Sequence, residues 1–295
     1  MAVLDAAAPL GAAAKSEDSP RRRAWRRLKR RKTAMVGLAI IILLVAAAIF
    51  APLIAPYDPA HQSWTAVRKA PSWLHLFGTD ESGRDLFSRV IYGARASLLA
   101  GVVSVSIALG IGVPVGLVAG YAGGWTDAFI SRIADAMLAC PFLILAIALA
   151  AFLGPSLTNA MIAIGITTTP ILVRLTRGQV LSVMNEDYVE AARAVGNPGW
   201  RIAARHILPN ILPALLVQAT LSIATAIIAE ASLSFLGLGQ QPPAPSWGSM
   251  LNTAQRFMTN APWMAVWPGL AIFLAVLSFN LLGDGLRDAL DPKER

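Results

Sequence analysis

Long uncharged stretches alternate with short polar ones along the whole chain, and the lengths of the uncharged stretches predict the elements. Thr33 to Ala51 carries no charge, which predicts a first helix over about Ala34 to Ile54, stopped near Pro52 and Pro56. A polar segment follows from Tyr57 to about Arg95. Ala96 to Thr126 is again uncharged and predicts a second helix. Ala136 to Val173 is uncharged and too long for one crossing at ~20 residues each. The run Gly154-Pro155-Ser156-Leu157-Thr158-Asn159 divides it into a third helix, starting near Asp127 with Arg132 and Asp135 in its first turns, and a short fourth. A polar stretch covers Gly178 to Pro209. A fifth helix is predicted from about Ile211 to Leu236, a Pro-, Gly- and Trp-rich loop to Pro262, and a sixth helix from about Trp263 to Leu282. Pro114, Pro141 and Pro170 fall within or at the ends of these spans and predict kinks.

This pattern predicts an all-α integral membrane protein of six transmembrane helices. Its expected organisation is a disordered basic arm over 1–32, a first transmembrane helix over 33–56 and an extracytoplasmic segment over 57–95. A five-helix core over 96–284 then includes a polar loop at 185–209, and a cytoplasmic tail occupies 285–295. Orientation follows from Lys and Arg near the helix ends. The basic arm places the N-terminus in the cytoplasm, and an even number of spans returns the C-terminus there. Arg174 to His206, with five arginines against three acids, then falls inside, while the loops after the third and fifth helices contain only Arg256.

Composition supports the membrane reading. Of 295 residues, 56% are hydrophobic and 14% charged, against roughly 25% charged in a soluble domain. Mean hydropathy is +0.58. The net charge of +8 does not indicate nucleic acid, because nine basic residues crowd into Arg21–Lys32, directly before an apolar span. That placement points to membrane lipids and orientation. The apolar run after the arm is longer than the roughly 7–15 residues of a signal peptide, which predicts an uncleaved helix. The single cysteine, Cys140, forms no intrachain disulfide, and its expected role is that of a small apolar side chain.

Two features carry functional content. Gly112, Gly116 and Gly120, extended backwards by Ala108, form a small-residue ladder on one helix face, expected to pack tightly against a neighbouring helix, in this chain or a partner subunit. The stretch Asn185 to Pro198 predicts a helix capped by Asn185 or Asp187, rich in alanine, and closed by a left-handed Gly196 before Pro198. A second short helix is predicted from Asn197-Pro198, with Asn197 as its cap, through Trp200 and Ile202 to His206, ending before Pro209. Such a knob can enter a groove of a soluble partner. The alternative is an amphipathic linker resting on lipid.

Here a resemblance becomes specific. Glu190-Ala191-Ala192, Gly196 four residues later, then Leu208-Pro209 are similar to the EAA signature of ABC importer permeases. His206 stands where the common pattern has Ile, and His-Ile-Leu-Pro resembles the peptide-transport branch. Three further blocks resemble that branch: Phe77 to Arg89, Ala231 to Gly248, and Asn280 to Asp288. The resemblance, over about Trp25 to Asp291, is to the C-type permease of dipeptide, oligopeptide, glutathione and nickel importers. It implies an ATPase-coupling role for Asp187, Tyr188, Glu190, Ala191, Ala192, Gly196, Leu208 and Pro209. It also implies partners: a homologous second permease, two ABC ATPase subunits and an extracytoplasmic solute-binding protein. No cofactor is expected on this chain, ATP and Mg belonging to the partner ATPases. The expected location is the prokaryotic cell membrane.

Read from the residues alone, Asp80, Gly83, Arg84 and Asp85 form a loop held by Arg–Asp pairs and a glycine turn; the spacing does not fit an EF-hand, and Arg84 repels a metal. The resemblance places that loop near a docked binding protein. Glu230 is a lone acid near the outer end of the fifth helix, open to three readings: a transport role, hydration near the interface, or an interhelical hydrogen bond. The chain contains no Gly-Lys dipeptide and hence no P-loop. His61, His75 and His206 show no metal spacing. The rival reading is an ion-gradient-driven secondary transporter, which normally shows internal repeats and more intramembrane charge. No such repeat is evident.

Overall fold

The computed structural model describes residues 20–290, with side chains from Trp25 onward, and over that range it is helical except for loops. The expectations for residues 1–19 and 291–295 lie outside the described residues. The helices are α1 (Pro20–Arg30), α2 (Lys32–Ile49), α3 (Ala51–Ile54), α4 (Leu86–Ala122), α5 (Gly124–Ala139), α6 (Phe142–Leu153), α7 (Leu157–Val183), α8 (Asp187–Ala194), α9 (Gly199–Ile202), α10 (Leu208–Phe235), α11 (Trp247–Ala254) and α12 (Trp263–Leu290). Among the described residues five are long and apolar enough to cross a membrane, and the bent pair α5 and α6, counted as one span, brings the number to six.

Several boundaries move from where charge alone put them. The basic arm is helical over Pro20–Arg30 rather than disordered; Leu28 packs with Ala34 and Ala289. Helix α4 starts at Leu86, ten residues before Ala96. Asp85 caps it, accepting from the Ser88 amide at 2.8 Å, and Arg89 and Arg95 are accommodated because both find partners. Arg95 donates to the Ala48 and Ile49 carbonyls at 2.5 and 3.1 Å, satisfying groups that the end of α2 leaves open. The third helix is not continuous. At Cys140-Pro141 it bends by 92°, because Pro141 offers no amide to continue α5. Pro114 and Pro170 stay within unbroken helices. Helix α12 runs on to Leu290, so residues 285–290, expected as tail, are helical; Asp288 pairs with Arg31 at 3.5 Å.

The glycine ladder has its partner within the chain. A Cβ on Gly112, Gly116 or Gly120 would stand 2.8, 2.6 and 2.7 Å from Leu172, the Val173 carbonyl and Val180, all on α7. Gly165 on α7 answers with the same closeness to Ile107. Without a hydrophobic drive between helices in lipid, such close backbone packing supplies the van der Waals attraction that holds spans together. Helix α10 packs across α4, α7 and α12, so α4, α7, α10 and α12 form the bundle. Apolar clusters fill it at both ends, one around Ile227, Trp247 and Phe279 and one around Val180, Ile207 and Ile211.

Candidate functional site

At one end of the bundle, α8, α9 and the start of α10 form a small knob. Helix α8 begins after an extended Glu186, with Asp187 and Glu190 in its first turn facing the positive end of the helix dipole. No side chain closes this cap: neither Asn185 nor Asp187 serves, contrary to expectation. Gly196 adopts φ +80 and ends the helix as predicted. Asn197 does not cap the second helix. Its amide and side-chain nitrogen both donate to the Ala192 carbonyl at 3.2 Å, tying off α8, and Pro198 precedes α9 instead.

The second helix does not stop before Pro209. It passes through a π-helical segment, Ala203–Ile207, directly into α10, so Gly199–Phe235 is one continuous helix. The wider π turn, in which the Leu208 amide reaches back to the Ala203 carbonyl, accommodates Pro209, which has no N–H to donate. The knob is therefore joined to a span without a break in the helix.

Side chains of the knob divide sharply. Val189, Ala192, Ile202 and Ile207 are buried against Val180 and Ile211, forming the knob's own core. Ala192 thus packs inward, into the knob's own core, and not onto its outer surface. Tyr188, Glu190 and Ala191 are exposed, as are Val195 at 82% and Trp200 at 70%. Leu208 packs beside the core and Pro209 is exposed. Gly199 sits on the Tyr121 ring, docking the knob onto the end of α4. The expected motif residues are thus brought together. Sequence reasoning placed Ile202 on the second helix but did not single out Val189 or Tyr121, although Val189 and Ala192 lie one turn apart and so share a face.

Near the knob, Arg177 on α7 makes a two-pronged pair with Asp127 on α5, its Nη2 donating to Oδ2 at 2.6 Å. Arg174 approaches Asp135 at 3.9 Å.

The opposite end carries the Asp80–Asp85 loop. Asp80 accepts from the Ser82 and Arg84 amides at 2.9 Å, from Arg84 Nε at 2.6 Å, and lies 3.5 Å from Arg89 Nε. Arg84 Nη2 also donates to Glu81 at 2.6 Å, and Arg89 Nη1 to the Pro59 carbonyl at 2.8 Å. Gly83 turns with φ +74 directly against the Ser63 carbonyl, where no Cβ fits. Asp85 bridges to His75 at 2.9 Å. This is a structural clasp, as the residues alone suggested. Glu230 is wholly buried, accepting from Ser97 on α4 at 3.0 Å and from Ser234 at 2.6 Å. The interhelical bond, not exposure to a path, is what this geometry provides. Ser97 in turn accepts from the Trp247 amide at 3.4 Å, so the acid anchors α11 across α4 and α10.

Residues 112–295, the region holding the knob, match the sequence pattern of the binding-protein-dependent transport system inner membrane component family. The chain belongs to that family. Residues 19–71 match the N-terminal TM domain of oligopeptide transport permease C. Among relatives, the dipeptide transport system permease protein DppC of Alkalihalophilus pseudofirmus is 51% identical over 275 residues, 93% of this chain and 90% of that protein. The glutathione transport system permease protein GsiD of Escherichia coli is 50% identical, over 91% of this chain and 89% of the relative. The MetNI methionine ABC transporter, solved in an inward-facing conformation, aligns with a TM-score of 0.59 at 22% identity. The match covers 70% of this chain and 98% of the solved chain, and shows a shared fold. The chain is thus a membrane-spanning permease subunit of an ABC importer, a transport protein and not an enzyme. Nothing in the family, the relatives or the fold favours the ion-gradient alternative.

Proposed function

We propose that this chain is one of two homologous permease subunits in an importer of short peptides, glutathione-sized tripeptides included. Two ABC ATPases bind on the knob side, and a solute-binding protein delivers cargo on the other. The observation carrying this reading is the knob itself: a packed helix pair that exposes Tyr188, Val195 and Trp200 and continues without a joint into α10. An exposed aromatic and aliphatic tip on a continuous helical support fits a groove in a soluble subunit. In this reading Glu190 makes the polar contacts of the knob and Gly196 sets its turn. Nucleotide and Mg bind the ATPases, and this chain holds no cofactor. The peptide class is supported by the names of the two relatives.

The knob and both termini lie in the cytoplasm, and the Asp80 clasp lies outside. The charge asymmetry supports that orientation. Closure of the ATPases draws the two knobs together and tilts the α10 helices, switching the path between outward and inward access.

The test is uptake by the assembled transporter in proteoliposomes. The expected result is labelled-dipeptide uptake that needs ATP and the binding protein, and falls when unlabelled tripeptide competes. Uptake driven by a proton gradient without ATPases would overturn the coupling, and indifference to peptide competitors would overturn the substrate class.

A further inference from the structure

In the loop between α3 and α4, Ala70 to Thr79 is ten residues without an acid, lysine or arginine. Within it, Ser72 to His75 forms a tight turn, with the Ser72 amide donating to the His75 carbonyl at 2.9 Å and the His75 amide to Ser72 Oγ at 3.2 Å. This turn is inside out. Its polar side chain, His75, is buried and held by Asp85. Its apolar side chains point away: Trp73 is 99% exposed, Leu74 69% and Leu76 50%. A loop bathed in water makes the opposite choice. The clasp that enforces this inversion is the buried His75–Asp85 pair, so the tip does not collapse inward to hide its apolar groups.

The tip lies level with the ends of the spans. Tyr57, three residues past the end of α3, donates its hydroxyl to the Leu74 carbonyl at 3.1 Å, and its ring lies 5.1 Å from that of His75. Phe77 stacks on Trp267 with ring centroids 3.9 Å apart, one turn inside the start of α12. The helix surfaces beside it expose Leu53, Ile54 and Val266, side chains that only lipid or another span can cover. The tip thus continues an apolar, lipid-facing surface outward to the depth where headgroups begin.

We propose that the Trp73–Leu76 tip is a membrane anchor, seated in the headgroup and upper acyl region of the leaflet on the clasp side. Tryptophan is suited to that layer, with a large apolar body and one indole N–H that headgroups or water satisfy. The occupant is lipid and not a protein because the tip is uncharged, consists of three side chains, and merges with the surface that already faces acyl chains. The anchor fixes the clasp at a set depth while the bundle moves. That the clasp-side leaflet is the outer one rests on the orientation proposed above; insertion itself does not.

The experiment places one cysteine at Trp73 in a Cys140→Ser background, labels it with the fluorophore NBD, and uses the assembled transporter in nanodiscs. A second variant carries the probe at Gln62, exposed and polar on the same loop. The expected result is blue-shifted emission at position 73, lost when the lipids carry a nitroxide near the acyl carbonyl and less affected by one at the chain end. The Gln62 probe should emit as in water and remain unquenched. Water-like emission at 73 overturns the anchor. Blue-shifted but unquenched emission assigns the tip to the second permease and also overturns it. A shift that develops only on adding the binding protein does the same in favour of that partner. An impermeant thiol reagent applied to the unlabelled Gln62 cysteine in intact cells reports sidedness separately, so a wrong orientation and a failed anchor give different results.

Discussion

The division of the knob into a buried and an exposed face yields opposite expectations for residues only three positions apart. Val195 and Trp200 touch little within the chain beyond Arg201, whose guanidinium lies 5.4 Å from the Trp200 ring. Replacing them as Val195→Asn with Trp200→Ala should change the stability of this subunit by no more than ~0.5 kcal/mol each, the usual range for surface positions. If they seat in an ATPase groove, each contributes as an interface anchor of about 2 kcal/mol. A combined loss of about 4 kcal/mol weakens association roughly a thousandfold. Ala192→Leu is the reverse case. It forces new methylenes among Val189, Ile202 and Ile207, with an overpacking penalty of ~1–3 kcal/mol borne by the knob itself. Gly196→Ala meets no atom within 4 Å, so its whole effect is the left-handed backbone, about 1 kcal/mol. The assay is co-purification of the ATPases, with uptake measured at matched subunit abundance and proteolysis of the 185–209 region as a folding control. The double surface variant should lose ATPases and uptake with normal protease resistance. Ala192→Leu should first become protease-sensitive. Normal ATPase recovery and uptake in the double variant would refute the docking argument.

Gly116→Leu should lower folded abundance sharply, because its Cβ meets the Val173 backbone at 2.6 Å, whereas Gly110→Leu, with open space around it, should be near neutral; thermal unfolding in detergent separates them. Asp80→Asn should loosen the clasp by about 3 kcal/mol, since Arg84 and Arg89 lose a buried carboxylate while Glu81 still holds Arg84, and should show as new protease cleavage between 57 and 85. Glu230→Gln should keep most function because the Ser97 and Ser234 hydroxyls can reorient, while Glu230→Leu strands both and should cost about 1–3 kcal/mol in thermal stability. Single cysteines replacing Asn197 and Gln62, with Cys140 removed, should be labelled by an impermeant thiol reagent in intact cells only at Gln62; labelling at Asn197 would reverse the orientation.

The existence of each long span was legible, because only runs of uncharged residues this long can lie in a bilayer. Their ends were not, because charge marks a boundary only when the charged side chain lacks a partner. Arg89 and Arg95 sit inside α4 since Asp80, Pro59 and the α2 carbonyls receive them, and those partners all lie outside α4. Asp288 likewise lies within α12, paired with Arg31. The glycine ladder announced a close contact but not with which helix, since spacing records a face and not its neighbour. In the knob, Gly196 was readable because its conformation is a local property. The burial of Ala192 was not, because a small side chain suits an inner contact and a slim exterior equally.

The least legible feature has the largest mechanical consequence. Pro209 reads as a stop, yet the π segment carries the helix through it and through Pro213, so Gly199 to Phe235 is a single unbroken helix of 37 residues. Its knob end holds Trp200, and its far end holds Glu230, tied to Ser97 on α4 and through it to the buried Trp247 of α11. A flexible linker at Pro209 would dissipate any displacement of the knob before it reached the membrane. A continuous helix transmits it to α11 and the clasp side, with α4 as the element it tilts against. Under the proposed coupling, Glu230 is therefore where motion begun at the ATPases is delivered to the other face of the bilayer. A variant that breaks this helix, Arg205→Pro within the π segment, should leave ATPase binding at the knob intact while abolishing uptake. Retained uptake in that variant would remove the continuous helix from the mechanism, whatever the knob itself binds.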